Sequence, residues 1–404
     1  MNILKKAASY FTRELSVVDP DGWRDPQTPT RAGMDATPSA SLGLSATWAC
    51  VNLIAGTIGS LPCMVYRTDK TGVRTVAKDH WLYSLMHNSP NFDQTAVDYW
   101  EFMSASIELH GDGYAEKVRG AEGAIVALEP LRPDTMGKRR LDNGDIEYRW
   151  THDGRQRVET QDNVLHIRGP FGGPLGGAST LAVCRNVFGA AIATDEASSQ
   201  MFAKGALPSG VLSTDKPLTA EQRKTLEALL QEKFVGAQNA GRPMLLDNAL
   251  NWQQITLNPE DAQMLETRQF GVEEICRVFG VPPHMVGQTA KSTSFGTGIE
   301  AQTLRFQKFT LRRRLKRIEQ ACEKQLLSPA DRAAGITIEF NIEGLLRGDS
   351  KARADFYREA LTNGWMSVNE VRTLENLPPV EGGNVNRVQM QNVPLIEAGA
   401  EDQP

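Results

Sequence analysis

The sequence has 404 residues, of which 40% are hydrophobic and 23% are charged, and its formal net charge at pH 7 is −5. These values are ordinary for a globular protein of two or three domains, and the negative balance argues against a protein that coats nucleic acid, which is usually basic. The negative charge is compatible with a protein that surrounds DNA without holding it. In such a protein, each phosphate neutralised by Lys or Arg would strengthen DNA binding and slow the movement of the DNA.

The N-terminal segment, residues 1–44, is expected to be a flexible arm. Residues 2–15 fit a short amphipathic helix, either a partner-binding arm or a frayed surface helix, and the Pro, Thr, Ser, Asp and Gly residues between 19 and 42 are typical of a linker. The first residues lack the apolar core of a secretory signal, and no apolar run reaches the ~18 residues of a membrane span. We therefore expect no membrane association.

Order is predicted to begin at Ser45, a plausible helix N-cap, with an α+β unit that extends to residue 177. Helical patterns cover 45–61, 80–87 and 96–110, and Thr95 and Gly111 suit the two ends of the last helix. Alternating apolar residues then predict short strands separated by Gly-containing turns. These strands cover residues 63–67, 73–76, 114–118, 124–129, 146–151 and 164–167.

The glycine-rich stretch 169–177 could suggest a phosphate-binding loop. It contains no Lys, however, and neither the P-loop nor the GxGxxG pattern is present. We therefore interpret it as a turn that leads into the next helix, which covers residues 180–204. Small residues are frequent in that helix and favour close packing, either with a neighbouring subunit or within the chain.

A compact insert lies between two long helices. It contains a predicted strand at 210–213, a helix opened by the capping box Thr219–Gln222, and strands at 243–247 and 252–257. The second long helix covers 259–279 and ends at Gly280, where Pro282 and Pro283 prevent continuation.

The stretch 284–298 is rich in Ser, Thr and Gly and predicts a mobile loop, after which a long helix resumes near Ile299. A strand at 336–342 and two helices follow; the last helix opens with a capping box at Ser367 and Glu370. Residues 385–404 lack periodicity and are expected to form a flexible tail.

Two stretches carry a resemblance to a known family. Residues 274–287 read EICRVFGVPPHMVG and residues 364–372 read GWMSVNEVR. Both runs closely resemble the portal proteins of tailed bacteriophages of the siphophage type, and the resemblance extends from about Ser45 to about Gly383.

The resemblance implies an α+β, portal-protein-like subunit with an α+β wing, a two-helix stem, a small α/β clip, a long helix and a helical crown. The boundaries it implies are 45–177 for the wing, 178–206 for the first stem helix, 207–257 for the clip, 258–283 for the second stem helix, 284–298 for the tunnel loop, 299–345 for the long helix with a strand returning to the wing, and 346–384 for the crown.

The resemblance also implies a function. About twelve copies would form a ring at one vertex of the procapsid, assembled in the host bacterial cytoplasm and retained in the virion. A terminase motor would drive double-stranded DNA through its channel. The expected partners are other copies of the chain, the terminase large subunit, a head–tail connector, and the major capsid or scaffold protein.

Two sets of site residues follow from the implied domains. The tunnel loop would place one cation and several hydroxyls near DNA, where both groups can contact phosphate; these residues are Lys291, Ser292, Thr293 and Ser294. The exposed tip of the clip would meet the motor or the connector, and it comprises Gln238, Asn239, Ala240 and Gly241.

A third candidate site is a basic run in the long helix, where no acid occurs among residues 305–317. It comprises Arg305, Lys308, Arg312, Arg313, Arg314, Lys316 and Arg317. The run could face DNA, or it could pair with acidic groups of a neighbouring subunit and contact solvent. The sequence leaves both interpretations open.

The sequence offers no constellation of catalytic or metal-binding residues. Its five cysteines lack CxxC spacing, its six histidines are scattered, and no GxSxG or HExxH motif occurs. We expect buried thiols, no metal, no cofactor and no enzymatic activity. The alternatives to a portal subunit are an enzyme of DNA processing or head maturation, and a structural adaptor that does not form rings.

Overall fold

The computed structural model describes residues 30–152, 154–203, 210–214, 219, 221, 224–225, 250–254, 259–288, 297–342, 350–375 and 377–386. The chain forms two compact units, divided between Glu339 and Phe340. The fold combines helices with small antiparallel sheets, so the predicted α+β class is confirmed.

Part of the N-terminal segment is folded, which corrects the prediction of a flexible arm that extends to residue 44. Helix α1, Pro38–Leu42, begins after Thr37, whose side-chain oxygen accepts a hydrogen bond from the Ala40 N–H. Thr30 and Ser41 are buried. Thr30 packs against Gly189, where a Cβ atom would collide with the Thr30 side chain. The polar composition of this segment concealed these contacts.

The following helices agree closely with the sequence patterns. They are α2, Ser45–Ser60; α3, Trp81–His87; and α4, Ala96–His110. Thr95 caps the start of α4 and Gly111 ends the helix with φ +82°, as the sequence indicated. Asp98 completes a capping box with Thr95. The N-cap of α2 is Leu44 rather than Ser45. Trp100 of α4 is fully buried, and its indole N–H donates to the Met86 carbonyl at 3.2 Å.

The described residues of the first unit form three small three-stranded sheets. Their strands are β1, Cys63–Thr68; β2, Arg74–Val76; β3, Asp112–Arg119; β4, Ile125–Leu131; β5, Gly137–Arg140; β6, Ile146–His152; β7, Arg155–Thr160; β8, Val164–Arg168; and β11, Ile336–Phe340. The strand orders are β11-β1-β2, β4-β3-β8 and β5-β6-β7. Strand β11 therefore brings a late part of the chain back to the first hairpin.

Strands β5 and β7 were not predicted. Both are largely exposed and rich in Arg, so they lack the apolar alternation that indicates a half-buried strand. Strand β6 lies between them and supplies the core instead. Its side chains Ile146, Tyr148 and Trp150 pack with Tyr114 and Val164.

The two long helices and the insert between them follow the sheets. Helix α5 covers Thr180–Val183 and α6 covers Arg185–Ala203, so the predicted single helix is interrupted at Cys184. Strands β9, Gly210–Thr214, and β10, Leu250–Gln254, pair antiparallel. Helix α7 then covers Pro259–Phe279, with the bounds that the sequence indicated.

The long helix of the first unit has three parts. Helix α8, Thr297–Arg305, continues into a π-helical segment, Phe306–Leu311, and then into α9, Arg312–Leu326. The π-helical segment was not predicted. A short helix α10, Pro329–Ala333, follows, and its capping box is formed by Ser328 and Asp331.

Among its described residues, the second unit has two helices, α11, Ser350–Thr362, and α12, Val368–Leu374. The capping box of Ser367 and Glu370 is present, as predicted. Asn369 is buried and its side-chain amide donates to the Val380 carbonyl at 2.9 Å, which fixes the segment that follows α12.

Candidate functional site

The predicted tunnel-loop residues Lys291, Ser292, Thr293 and Ser294 lie outside the described residues, and so do the predicted clip-tip residues Gln238, Asn239, Ala240 and Gly241. The elements that support each segment are described. Strands β9 and β10 pair over five residues at the base of the insert. Helices α7 and α8 flank the predicted loop.

The near end of the predicted loop is built by a helix stop and a short 3₁₀ turn. Gly280 has φ +72°, a conformation that glycine adopts without strain, and the Val281 N–H donates to the Cys276 carbonyl at 2.9 Å. Pro282 precedes the 3₁₀ turn Pro283–Val286, which ends at Gly287 with φ +85°. The loop therefore leaves α7 in a fixed direction.

The same helix stop is tied to the long helix. The Thr310 hydroxyl donates to the Gly280 carbonyl at 2.7 Å, and Arg314 donates from Nη2 to the Phe279 carbonyl at 3.2 Å. Arg314 also forms a bidentate ion pair with Glu108 near the end of α4, at 2.7 and 2.9 Å. One arginine thus joins α4, the end of α7 and α9 at the point where the predicted loop starts.

This arrangement divides the predicted basic patch. Arg314 is bound within its own chain, which neither interpretation of the patch included. Lys316 lies 3.1 Å from the buried carboxylate of Glu319, and Arg312 lies 3.8 Å from Glu339. The remaining members differ in exposure. Arg317 is half-buried in a cleft beside Glu108, whereas Arg305, Lys308 and Arg313 are exposed.

Among the basic residues of the long helix, Arg317 is distinguished by its desolvation. Burial, followed by the nearby charge of Arg314, lowers the pKa of Arg317. Glu108 opposes that shift, although its carboxylate oxygens are already bound by Arg314. No sequence pattern singles out Glu108, because a single acid inside a helix is ordinary.

Helices α6 and α7 contact each other along their length. Arg268 of α7 pairs with Asp195 of α6 at 2.7 Å, and Phe188 of α6 packs edge-to-face on Phe279 with ring centroids 6.0 Å apart. Gly189 of the predicted small-residue stripe packs on Thr30 of the same chain, whereas Ala190 is exposed. Close packing of this stripe against a neighbouring subunit stays a prediction.

A second polar centre lies inside the sheets, and no local sequence pattern predicts it. We call it the Asp112 cluster; it comprises Asp112, Tyr114, Lys138, Tyr148 and His166. The Asp112 carboxylate accepts hydrogen bonds from His166 Nε2 at 2.9 Å, from the Gly177 N–H at 2.8 Å and from the Tyr114 hydroxyl at 3.0 Å. Lys138 forms an ion pair with the same carboxylate.

Burial, ion pairing and hydrogen bonding together determine which groups of the Asp112 cluster are charged. Burial would raise the pKa of Asp112, but His166 and Lys138 hold it below its ordinary value. Burial lowers the pKa of His166 to about 4. The imidazole is therefore neutral, with Nε2–H donating to Asp112 and Nδ1, at 3.0 Å from the Tyr148 oxygen, accepting from that hydroxyl.

An Asp–His pair of this kind resembles the orienting pair of a nucleophilic site. Here, however, Asp112 and His166 are at least 96% buried, and the second imidazole nitrogen bonds Tyr148 rather than a nucleophile exposed to substrate. The cluster instead fastens β3, β5, β6 and β8 to the glycine-rich turn through the Gly177 N–H. Its role is structural.

The glycine-rich turn 169–177 is occupied by backbone contacts. The Gly169 N–H donates to the Gly111 carbonyl at 2.7 Å, and the Ala178 N–H donates to the Pro170 carbonyl at 2.8 Å. A Cβ atom at Gly177 would collide with the backbone of Gly111 and Gly169. These N–H groups are used in hydrogen bonds within the protein, which agrees with the interpretation of this stretch as a structural turn.

The cysteines are free thiols, and Cys50 of α2 lies 4.0 Å from Cys276 of α7, sulfur to sulfur. In the part of the chain that the structure describes, no cluster of three or more His, Cys, Asp or Glu side chains has the geometry of a metal site. Across those same residues, the helices are too short or too polar to cross a bilayer.

Comparison with known proteins gives a consistent result. The sequence profile of the family described as "Phage portal protein" matches residues 45–376. The portal protein of Enterobacteria phage HK97 is 34% identical over 365 residues, which cover 90% of this chain and 85% of that protein. The probable portal protein of Streptomyces phage phiC31 is 30% identical over 391 residues, covering 92% and 83%.

The fold is also similar to that of a solved structure. A chain in the neck of an empty GTA particle, computed with C6 symmetry, superposes with a TM-score of 0.63 at 25% identity. The match covers 93% of this chain and 98% of that one.

Proposed function

The chain belongs to the phage portal protein family, and from this premise we propose that it is the subunit of a ring that forms the DNA channel at one vertex of a phage head. The observation that carries the proposal is the family match across residues 45–376. The subunit would act through assembly rather than through catalysis, in the procapsid during packaging and in the virion afterwards.

We propose about twelve copies in the ring. The similar neck chain occurs in a particle computed with C6 symmetry, and a ring of twelve identical subunits has six-fold symmetry as well. A closed ring requires a heterologous interface, in which each subunit presents two different, complementary surfaces.

The paired helices α6 and α7 would form the stem of the subunit, and residues 284–298 would form the tunnel loop at the channel wall. The support is the junction at Gly280, where Thr310 and Arg314 hold the end of α7 on the long helix. A loop attached to such a support can reach DNA while its base stays in place. Lys291 and the neighbouring hydroxyls would then touch phosphate weakly.

The insert between α6 and α7 would be the clip, with residues 238–241 as its tip. Its partners would be the terminase large subunit during packaging and a head–tail connector afterwards. The wing would contact the major capsid or scaffold protein. Paired strands β9 and β10 provide the base from which such a tip could project.

The mass of the purified assembly tests the proposal. We expect a single species many times heavier than the 44.5 kDa chain in mass photometry, and rings with a central hole in end-on electron micrographs. A protein that stays monomeric over the micromolar range, with or without scaffold protein, would contradict the proposal.

A further inference from the structure

The short loop between α3 and α4 presents a fully exposed aromatic side chain. We call residues 89–95 the Phe92 loop; Phe92 at its tip is 99% exposed. An isolated apolar residue on a surface needs no explanation. The unusual feature is that this one is held by a dense set of hydrogen bonds.

The buried side chain of Asn91 organises the Phe92 loop. Its Oδ1 accepts from the Asp93 and Gln94 N–H groups at 3.1 and 2.8 Å, and its Nδ2 donates to the Leu128 carbonyl at 3.1 Å. The Ser89 hydroxyl also donates to the Gln94 carbonyl at 2.9 Å. The backbone that carries Phe92 is thus held in place before any partner arrives, which reduces the entropy lost on binding.

Phe92 is followed directly by an acidic residue. Asp93 is exposed beside it. Burial, together with the charges of Asp93 and Glu116, raises the pKa of Glu129, so these carboxylates lie close enough to repel one another. A partner surface for the Phe92 loop should therefore combine an apolar patch with positive charge.

The same chain carries such a surface on its long helix. We call it the Phe309 face. Phe309 is 67% exposed and Leu304 is 43% exposed, and Arg305, Lys308 and Arg313 are exposed around them. Phe309 lies in the π-helical segment, whose Phe306, Thr310 and Leu311 are buried.

The Phe92 loop and the Phe309 face lie at opposite ends of α4. The loop precedes the N-cap Thr95, whereas Arg314, next to Arg313, pairs with Glu108 near the other end. Helix α4 has 15 residues, which span about 22 Å at 1.5 Å per residue. A contact between the two surfaces can therefore form only between copies.

We propose that the Phe92 loop of one copy docks on the Phe309 face of the next copy. This inference rests on the proposed ring, and it names one contact within it. Phe92 packs against Phe309 and Leu304, while Asp93 faces Arg313. Because the two surfaces differ, the contact repeats head to tail, and a repeated heterologous contact is what closes a ring.

Alanine variants test the energetic part of the inference. Phe92→Ala combined with Asp93→Ala, and separately Phe309→Ala combined with Arg313→Ala, should each reduce the fraction of subunits in rings at least tenfold at equal concentration, with unchanged circular dichroism. The matched control is Phe171→Ala combined with Arg67→Ala, because these side chains are also exposed and belong to neither surface. Normal rings from both alanine variants would overturn the inference.

Cysteine variants test the geometry independently of stability. A chain with both Asp93→Cys and Arg313→Cys should give a ladder of disulfide-linked oligomers on a non-reducing gel after mild oxidation. An equal mixture of the two single variants should stop at dimers. A disulfide within one chain is excluded, because its Cα atoms must lie within about 7 Å. Assembled rings that give no ladder would overturn the proposed contact.

The outcomes separate this inference from the proposed function. If the wild-type protein forms no ring, the proposed function fails. If the wild type and both alanine variants form equal rings, the function stands and the contact is wrong. If the Phe309-face variants assemble normally but lose DNA retention, that face meets DNA, which also overturns the contact.

Discussion

Glu108 and Arg314 form a bidentate ion pair that joins α4 to α9. Their side chains are 7% and 14% exposed, and the two N–O distances are 2.7 and 2.9 Å. Arg314 uses its other donors on the carbonyls of Thr310 and Phe279, each at 3.2 Å. The arginine therefore positions the end of α7, from which the predicted tunnel loop departs.

The first prediction concerns this pair. Glu108→Gln should destabilise the subunit by about 3–5 kcal/mol, since it leaves a buried guanidinium without its charge partner. Urea unfolding of the monomer measures the change. The control, Glu122→Gln, makes the same change at an exposed position and should stay within about 0.5 kcal/mol of wild type. Equal stability of the two variants would show that the pair adds nothing to the fold.

The second prediction concerns pH and His166. The pKa of His166 is about 4 in the folded protein, whereas an unfolded His has a pKa of about 6.5. Between these values the unfolded state binds more protons, so stability rises with pH. The stability that neutral His166 contributes to the folded state is fully present above pH 6.5 and is lost as pH falls toward 4. It amounts to up to about 3 kcal/mol.

His166→Gln removes this titration but keeps a donor near Asp112. Plots of unfolding free energy against pH should therefore be flatter for His166→Gln than for wild type between pH 6.5 and 4. The same plots for His152→Gln, which changes an exposed histidine, control for the His-to-Gln substitution itself. If His166→Gln shows the full wild-type slope, His166 is not the group that titrates.

The third prediction concerns the glycine-rich turn. Gly177→Ala should destabilise the protein by several kcal/mol or prevent its folding, because the added Cβ would overlap the backbone of Gly111 and Gly169, which cannot yield as a flexible side chain would. Gly271→Ala is the matched control, since its Cβ meets nothing within 4 Å in α7. It should raise stability by about 0.5–1 kcal/mol. Comparable melting temperatures for the two variants would disprove the close approach.

Local sequence signals predicted much of this fold. The capping residue Thr95 and the terminator Gly111 define α4 in the sequence and in the structure, and the bounds of α7 agree at both ends. Capping and helix termination depend on residues that are close in the chain, so a single sequence is enough to predict them.

Contacts between residues that lie far apart in the chain could not be predicted from the sequence. Glu108 meets Arg314 across 206 positions, and Asp112 meets His166 across 54. No local pattern marks these partners, and the seven cations of the long helix therefore looked equivalent. The π-helical segment was missed for a related reason, since its burial of Phe306 and exposure of Phe309 depend on tertiary packing.

The fourth prediction concerns the proposed clip. Replacing residues 238–241 by a Gly-Ser segment of equal length should leave ring assembly intact but reduce DNA packaging or tail joining, because the tip is proposed to touch the motor and the connector. Genome packaging in an infected-cell complementation assay measures this. The same replacement at 120–123, the turn between β3 and β4, is the control. Wild-type packaging and joining by the tip variant would disprove the assignment.

The last prediction concerns the proposed tunnel loop. Deleting residues 289–294 should leave rings intact, because the junction of Gly280 with Thr310 and Arg314 lies outside the deletion. Packaged DNA should, however, be shorter or leak from the head, since one cation and several hydroxyls per subunit would be lost from the channel wall. DNA length in purified heads, measured by pulsed-field electrophoresis, reports both effects.

Lys291→Ala separates charge from loop length in this experiment. Each phosphate contact contributes to the salt dependence of DNA binding, so removing one Lys should make DNA retention less sensitive to salt, with a milder packaging defect than the deletion. Lys78→Ala is the charge-matched control, because Lys78 is exposed and lies outside both the loop and the Phe309 face; it should leave packaging and the salt sensitivity of DNA retention unchanged. Full-length genomes retained by the deletion variant would show that the loop does not grip DNA.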